Sequence, residues 1–251
     1  MLSVEEITDV PGEQVLIERL DEGLRPLYRN GLPHHNYPHA RDDVLPEVFR
    51  LDGLAPTSPV HGRFNLIAAT LGHDAGSHLP PDPERPETKE ERASRLIRPV
   101  LLDCNFSEGD LVEIDGLIGA TGPGAACVTP DQVKLRRGDI ANVGGPRLPF
   151  LATSVRLYQE AVILAAERGE PAPEWRSFLR EQEAVLRSLL SQDLSLGDER
   201  VSKGVGPFNR AALRNVSWLS RGVMLNPVRF HSKYDHYLRP LVGDAALAVI
   251  A

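Results

Sequence analysis

An all-α fold is the expectation for this chain: a helical bundle followed by an irregular C-terminal extension. Three observations lead there. Apolar residues recur at helical spacing along most of the 251 residues. Thr88 and Thr129 stand as N-caps ahead of two of those runs. Clusters of Gly and Pro separate one run from the next.

Val15, Leu16, Leu20, Leu24 and Leu27 mark a first helix that ends before Asn30-Gly31-Leu32-Pro33. His39 follows Pro38, a residue suited to a first helical turn, and the stripe continues through Val44, Leu45, Val48, Phe49 and Leu51. Gly53 to Pro59 reads as a loop. A short, strongly apolar helix from Phe64 to Leu71 then delivers His73 and Asp74 at its C-terminal end. After a Pro-rich loop from Leu79 to Pro86, Thr88 and Glu91 form a capping box that opens a helix to Leu102.

The next helix starts near Ser107, carries Leu111, Ile114, Leu117 and Ile118, and stops at Gly122-Pro123-Gly124. Thr129 as N-cap and Pro130 at the first helical position begin a short helix. Gly138 ends or bends it, so Asp139 would open the next turn. Helices from Phe150 to Glu167 and from Glu174 to Leu190 complete the clear set. Beyond Leu190 the pattern is interrupted by Gly197, Gly204, Gly206 and Pro207, and the tail mixes in Trp218, Phe230, Tyr234 and Tyr237. Residues 1–170 are therefore assigned to one helical domain. Residues 171–251 form a last helix and an extension packing on that domain or on a second subunit, which leaves a homodimer open.

Composition narrows the function classes. The chain is 41% hydrophobic and 25% charged, an ordinary globular balance. It has no apolar run of about 18 residues, so no membrane span is expected. Met1-Leu2-Ser3-Val4-Glu5-Glu6 lacks the basic and apolar regions of a signal peptide. Cys104 and Cys127 have no metal-type spacing; a disulfide stays open, reduced thiols are preferred, and the cytoplasm is the expected compartment. The net charge of −7 argues against binding a nucleic acid polymer. A small phosphate ester can still be held by a metal and one or two arginines. Nothing resembles a P-loop, a G-x-G-x-x-G turn, a G-x-S-x-G elbow or a zinc-finger spacing.

Four side chains carry the functional argument: His39, the adjacent pair His73-Asp74, and Asp139. Two imidazoles and two carboxylates can enclose one divalent cation and leave positions for water and substrate. Such a donor set suits Mn, Fe, Co, Ni or Zn, and Mg is not distinguished from them. The surrounding text reads His35-Asn36-Tyr37-Pro38-His39, then Leu71-Gly72-His73-Asp74-Ala75, then Asp139-Ile140-Ala141-Asn142-Val143-Gly144.

In this order and spacing the three segments resemble the HD superfamily of metal-dependent phosphohydrolases. The similar branch has an H-N-x-x-H helix start, a Glu-rich helix after the His-Asp pair and a D-[IL]-[AS]-x-[ILV]-G ending. The resemblance runs from about Tyr28 to Tyr158. It implies an HD-domain helical bundle with His39, His73, Asp74 and Asp139 as ligands of one divalent metal ion. It also implies His35 as proton donor to the leaving oxygen, a role that suits an imidazole; facing solvent is the competing reading. Asn36 would orient the loop or touch substrate. Arg41 is a candidate phosphate contact or an exposed helix arginine, and His78 either binds a substrate phosphate or second metal or has no role.

Two departures bear on mechanism. Relatives that use a carboxylate base often place Glu three residues after the Asp of the pair, where this chain has Ser77. Glu90 and Glu91 are the substitutes, and Glu90 is preferred because Glu91 is also the capping-box partner of Thr88. Relatives often carry T-x-x-H where this chain reads Thr121-Gly122-Pro123-Gly124, which favours one metal over two. The reading that results is a metal-dependent phosphohydrolase acting on a small phosphate ester, such as a nucleotide. The alternative is a degenerate HD-fold protein that binds a nucleotide or metabolite without catalysis. A di-iron oxygenase on the same scaffold is opposed by the shortage of histidines.

Overall fold

The apolar stripes become helices in the computed structural model, which describes residues 12–54, 56, 60–191, 199–225 and 233–240. The first residues, Gly197, Phe230 and part of the loop before Pro59 lie outside those ranges. Every regular element among the described residues is helical, and the one β pairing is an isolated bridge between Asp82 and Arg85. The all-α expectation holds. Among these residues no helix is long and apolar enough to cross a membrane.

The chain folds as two compact units. The first holds described residues 12–31, 35–141 and 199–204. Its elements are α1 (Glu13–Leu24), a π-helical turn (His39–Val44), α2 (Leu45–Leu54), α3 (Val60–Gly72), α4 (Lys89–Asp103), α5 (Glu108–Gly119) and α6 (Pro130–Asp139). Helix α3 is the central element, packing against α1, α4, α5 and the π turn, while α2 packs on α6. Ile17, Leu20 and Leu24 of α1, Leu66, Ile67 and Leu71 of α3, Ile97 of α4 and Ile114 of α5 meet in one core. Each such aliphatic side chain contributes roughly 2 kcal/mol by leaving water.

Capping boxes start three of these helices where the sequence places them: Thr88 with Glu91, Ser107 with Asp110, and Thr129 with Gln132. Each satisfies backbone N–H groups that the first helical turn leaves without partners. One expectation shifts. Asp139 is the last residue of α6 rather than the first of a new turn, because Gly138 stays helical. A Cβ on Gly138 would lie 2.7 Å from Val48 Cγ2 and 3.2 Å from Val44 Cγ1, so the absent side chain allows α6 to close on the segment carrying His39.

A buried charge network ties α1, α2, α3 and α6. Lys134, fully buried, donates to Asp52 Oδ1 and to Asp131 Oδ1, each at 2.7 Å. Arg63 donates to Asp52 Oδ2 at 2.7 Å and to Glu13. Every member is paired, the condition under which buried charges are tolerated.

The second unit holds residues 32–34 and the described parts of 142–191 and 205–251. It contains most of α7 (Ala141–Gly144), α8 (Arg147–Glu167), α9 (Trp175–Ser191), most of α10 (Glu199–Leu225) and a helix over 233–240. Tyr158, Trp175 and Phe178 form an aromatic cluster with centroids 4.8 to 6.0 Å apart, and the Tyr158 hydroxyl donates to Pro173 O at 2.8 Å. Among the described residues, the expected irregular extension is largely α10. Its 27 residues run through Gly204, Gly206 and Pro207. Gly and Pro cost about 1 and 3 kcal/mol in a helix interior. The buried stripe Phe208, Ala212, Val216 and Leu219 offsets that, and Asn215 adds bonds to Val143 O and Gly145 O at 2.9 and 2.8 Å.

Candidate metal centre

The strongly apolar helix α3 is buried nearly all round, so His73 and Asp74, in the turn directly after it, are held in the core and are 1% exposed. Tyr28 fixes that helix end. Its hydroxyl donates to Leu71 O at 2.8 Å and accepts from the Asp74 N–H at 3.3 Å. The turn that follows is pinned by a bond from Gly76 N–H to Leu27 O at 3.1 Å.

His39 arrives from the π turn. Asn36 stands before that turn, and its Oδ1 accepts the His39 N–H at 2.9 Å, so Asn36 orients the segment. π turns disrupt regular side-chain phase and recur at functional sites. Asp139 arrives at the end of α6. One donor atom from each of His39, His73, Asp74 and Asp139 lies within 4.8 Å of the others. His73 Nε2 is 3.3 Å from both Asp74 Oδ2 and Asp139 Oδ1, and His39 Nε2 is 3.6 Å from Asp139 Oδ1. Ligand atoms about 2.1 Å from one ion lie about 3.4 Å apart in tetrahedral geometry, so these separations suit a shared cation.

Two further observations test the fit. Each imidazole is oriented through its other nitrogen: His73 Nδ1 lies 2.8 Å from Thr70 O, and His39 Nδ1 lies 3.3 Å from Asp43 Oδ2. A carbonyl and a carboxylate there favour an Nδ1–H tautomer and turn Nε2 toward the cluster, as outer partners of metal-binding histidines do. In addition, His73 Nε2 and both Asp74 carboxylate oxygens are buried without an aligned hydrogen bond, although charged neighbours lie close by. Buried polar atoms in this condition are rare and need a partner. The four residues could hold a metal ion.

Charge is concentrated here. Burial pushes the Asp74 carboxyl up, but His73, Lys89 and His35 outweigh it and hold the group well below the usual range. Asp139 behaves likewise beside His73 and His39. Burial lowers both imidazoles, yet the carboxylates win: His39 is raised to about 9 by Asp139, Asp43 and Asp74, and His73 to about 10 by Asp74 and Asp139. Burial and the Asp74 charge push the Tyr28 hydroxyl far up, so it stays a neutral donor.

The remaining candidates are placed differently. His35 lies near enough for its charge to act on Asp74. His78 is half-buried in the turn after the pair. Arg41 is engaged elsewhere, with Nε 3.2 Å from Asp21 Oδ2. Glu91 accepts the Thr88 N–H at 2.7 Å, the capping duty its position suggests. The Glu90 carboxylate packs over Gly122, where an added Cβ would come within 3.0 Å of it, and lines a cleft of 980 Å³ beside Arg85, Arg95 and Arg98.

Lys89 was not anticipated. It is the first residue of α4, and its ammonium reaches Asp74 Oδ1 at 2.5 Å. A lysine directly before the Glu90-Glu91 pair, in a chain with four lysines, was the available signal. Asp43 was also missed, although its place four residues after His39 on one helical segment was a local signal; Tyr28 was missed because nothing in its local sequence marks it as a partner of the site. Family models, curated proteins and solved structures yield no match to this chain.

Proposed function

We propose that this chain is a metal-dependent phosphohydrolase of the HD type, acting on a small phosphate ester such as a nucleotide. The observation that supports it is the convergence of two oriented imidazoles and two carboxylates within 4.8 Å, where His73 Nε2 and Asp74 Oδ2 are buried without an aligned hydrogen bond. One divalent ion, with Mn, Fe, Co, Ni, Zn and Mg all compatible, would neutralise phosphoryl charge and make a bound water more acidic.

The chain's own residues supply the rest. Asp43 and Thr70 hold the two imidazoles so that Nε2 is presented without reorganisation. Asp139, 22% exposed, forms the accessible edge of the cluster. The Lys89 ammonium would meet a phosphoryl oxygen approaching over Asp74. His35 would give a proton to the leaving oxygen. Glu90 is the preferred group to orient water, since Glu91 is committed to its cap.

That commitment, together with Ser77 at the position where a carboxylate base is expected, favours a second reading: ligand binding at the same centre without hydrolysis. Element analysis of purified protein, paired with phosphate release from nucleotides and sugar phosphates, separates the two. Stoichiometric metal with turnover supports the hydrolase, and metal without turnover supports the binding protein. Full metal content in His73→Ala overturns both.

A further inference from the structure

Arg136 is fully buried on α6, three residues before Asp139, and among the described residues no carboxylate lies within ion-pairing distance of it. Burial lowers its pKa, as befits a cation without such a partner, and its Nη1 is buried without a hydrogen bond. The rest of the guanidinium spans one short segment. Nε donates to Ala120 O at 2.7 Å, and Nη2 donates to the same oxygen and, at 2.6 Å, to Ala125 O. Ala120 is the C-cap of α5, so the bonds to it satisfy a carbonyl at a helix end. Ala125 lies beyond the turn, and capping does not account for its bond. The fork therefore ties both ends of residues 120–125 to the helix that carries Asp139.

That segment is where Glu90 rests. Its turn is closed by bonds from Gly122 N–H to Gly119 O and from Ala125 N–H to Gly122 O, each 3.2 Å, and Gly124 takes a left-handed φ of 82°. A Cβ on Gly122 would lie 3.0 Å from Glu90 Cδ and 3.3 Å from each carboxylate oxygen, so the carboxylate lies across the bare Cα. Among the described residues no hydrogen bond fixes that carboxylate; its place is set by this contact and by α4. Glu90 is also close enough to act on the Lys89 ammonium, as Asp74 and Asp139 do. Contacts thus run from Asp139 through Arg136 and Gly122 to Glu90, and return through Lys89 to Asp74.

We propose that Arg136 and Gly122 are positioning residues for Glu90. The buried guanidinium holds the 120–125 segment in register with Asp139, and the missing side chain at Gly122 seats the carboxylate that orients water. The role of Glu90 rests on the hydrolase reading; the seat itself does not. An arginine suits the task because its planar fork meets two carbonyls at once, which the point charge of a lysine does not. A small displacement of such a carboxylate is enough to slow a reaction that depends on its orientation.

Gly122→Ala, made in the full chain and loaded with Mn²⁺, tests the seat without touching Arg136, because the added methyl meets the far end of a flexible side chain. Turnover of p-nitrophenyl phosphate should fall about ten-fold in kcat with KM within about two-fold, while Mn²⁺ affinity and the urea midpoint stay as in the parent. Glu90→Gln should fall further, and adding Gly122→Ala to it should cost nothing more, since both act through one group. Arg136→Lys should lower kcat as Gly122→Ala does; if it fails to fold, the Gly122 and Glu90 cycle decides. Water-proton relaxation of the Mn²⁺-loaded protein reads the same coupling without turnover. Glu90→Gln and Gly122→Ala should change it alike, and the double variant no further. A parent that gives this relaxation pattern but releases no phosphate overturns the hydrolase reading and leaves the positioning in place. Losses that add in the double variant, or a Gly122→Ala protein that matches the parent in relaxation and in any turnover, overturn the inference.

Discussion

The ammonium of Lys89 sits 2.5 Å from Asp74 Oδ1, so the first residue of α4 supplies a positive charge to a carboxylate at the end of α3. Burial alone would lower the lysine pKa; Asp74 and Asp139 reverse that and keep the group charged. Lys89→Met should act in opposite directions on two ligands. A metal cation, no longer repelled, should bind about ten-fold tighter, while a phosphate ester loses a counter-charge and should bind about ten-fold weaker. Isothermal titration with Mn²⁺ and a KM measured on any hydrolysed ester would show it. A parallel loss of both would mean that Lys89 only supports the fold.

Asp43 touches the centre through His39 Nδ1 and is half-exposed, so its loss should not disturb packing. Asp43→Asn should lower metal affinity by about ten-fold or more with little change in unfolding midpoint, because the imidazole loses the partner that sets its tautomer. Competition with a chromogenic chelator measures it. Unchanged affinity would remove Asp43 from the site.

Gly138→Ala would force a methyl against Val48 Cγ2 at 2.7 Å. Overpacking of this kind costs about 1–3 kcal/mol. Since Asp139 is the next residue, the strain should also displace a ligand. Urea unfolding should show the destabilisation, and metal content should fall in the same variant. Stability equal to the parent would show that α6 can shift without cost.

In chelator-treated protein the two imidazoles are held protonated by carboxylates, with His39 raised to about 9 and His73 to about 10 from an ordinary 6.5. Protons bound more tightly in the folded than in the unfolded state stabilise the fold. That contribution is complete below pH 6.5 and is lost as pH rises through 9 to 10. Urea midpoints of metal-free protein should therefore fall between pH 7 and pH 10, over and above any change in a His39→Gln, His73→Gln control. A midpoint that rises with pH contradicts the protonated cluster.

Much of this was legible in the residues themselves. Helix starts at Thr88 and Thr129 depend on a hydroxyl and on a side chain three positions later, so a short segment suffices to read them. The four candidate ligands could likewise be named from their local text, and the structure brings those four together. The α10 helix was not legible, because its Gly and Pro residues argue locally against helix, and the stripe from Phe208 to Leu219 outweighs them only once packed.

From its sequence alone, the chain is committed to helices, to their main boundaries and to a short set of metal-ligand candidates. These follow from apolar period, capping chemistry and donor type, all of which act over a few residues. Which neighbours complete the centre was decided only in three dimensions. Lys89, Tyr28 and the close approach at Gly138 act through space, across distances that chain spacing does not encode. Packing of α3, α4 and α6 turns separate residues into one charged pocket, and the energy of each charge there depends on the others.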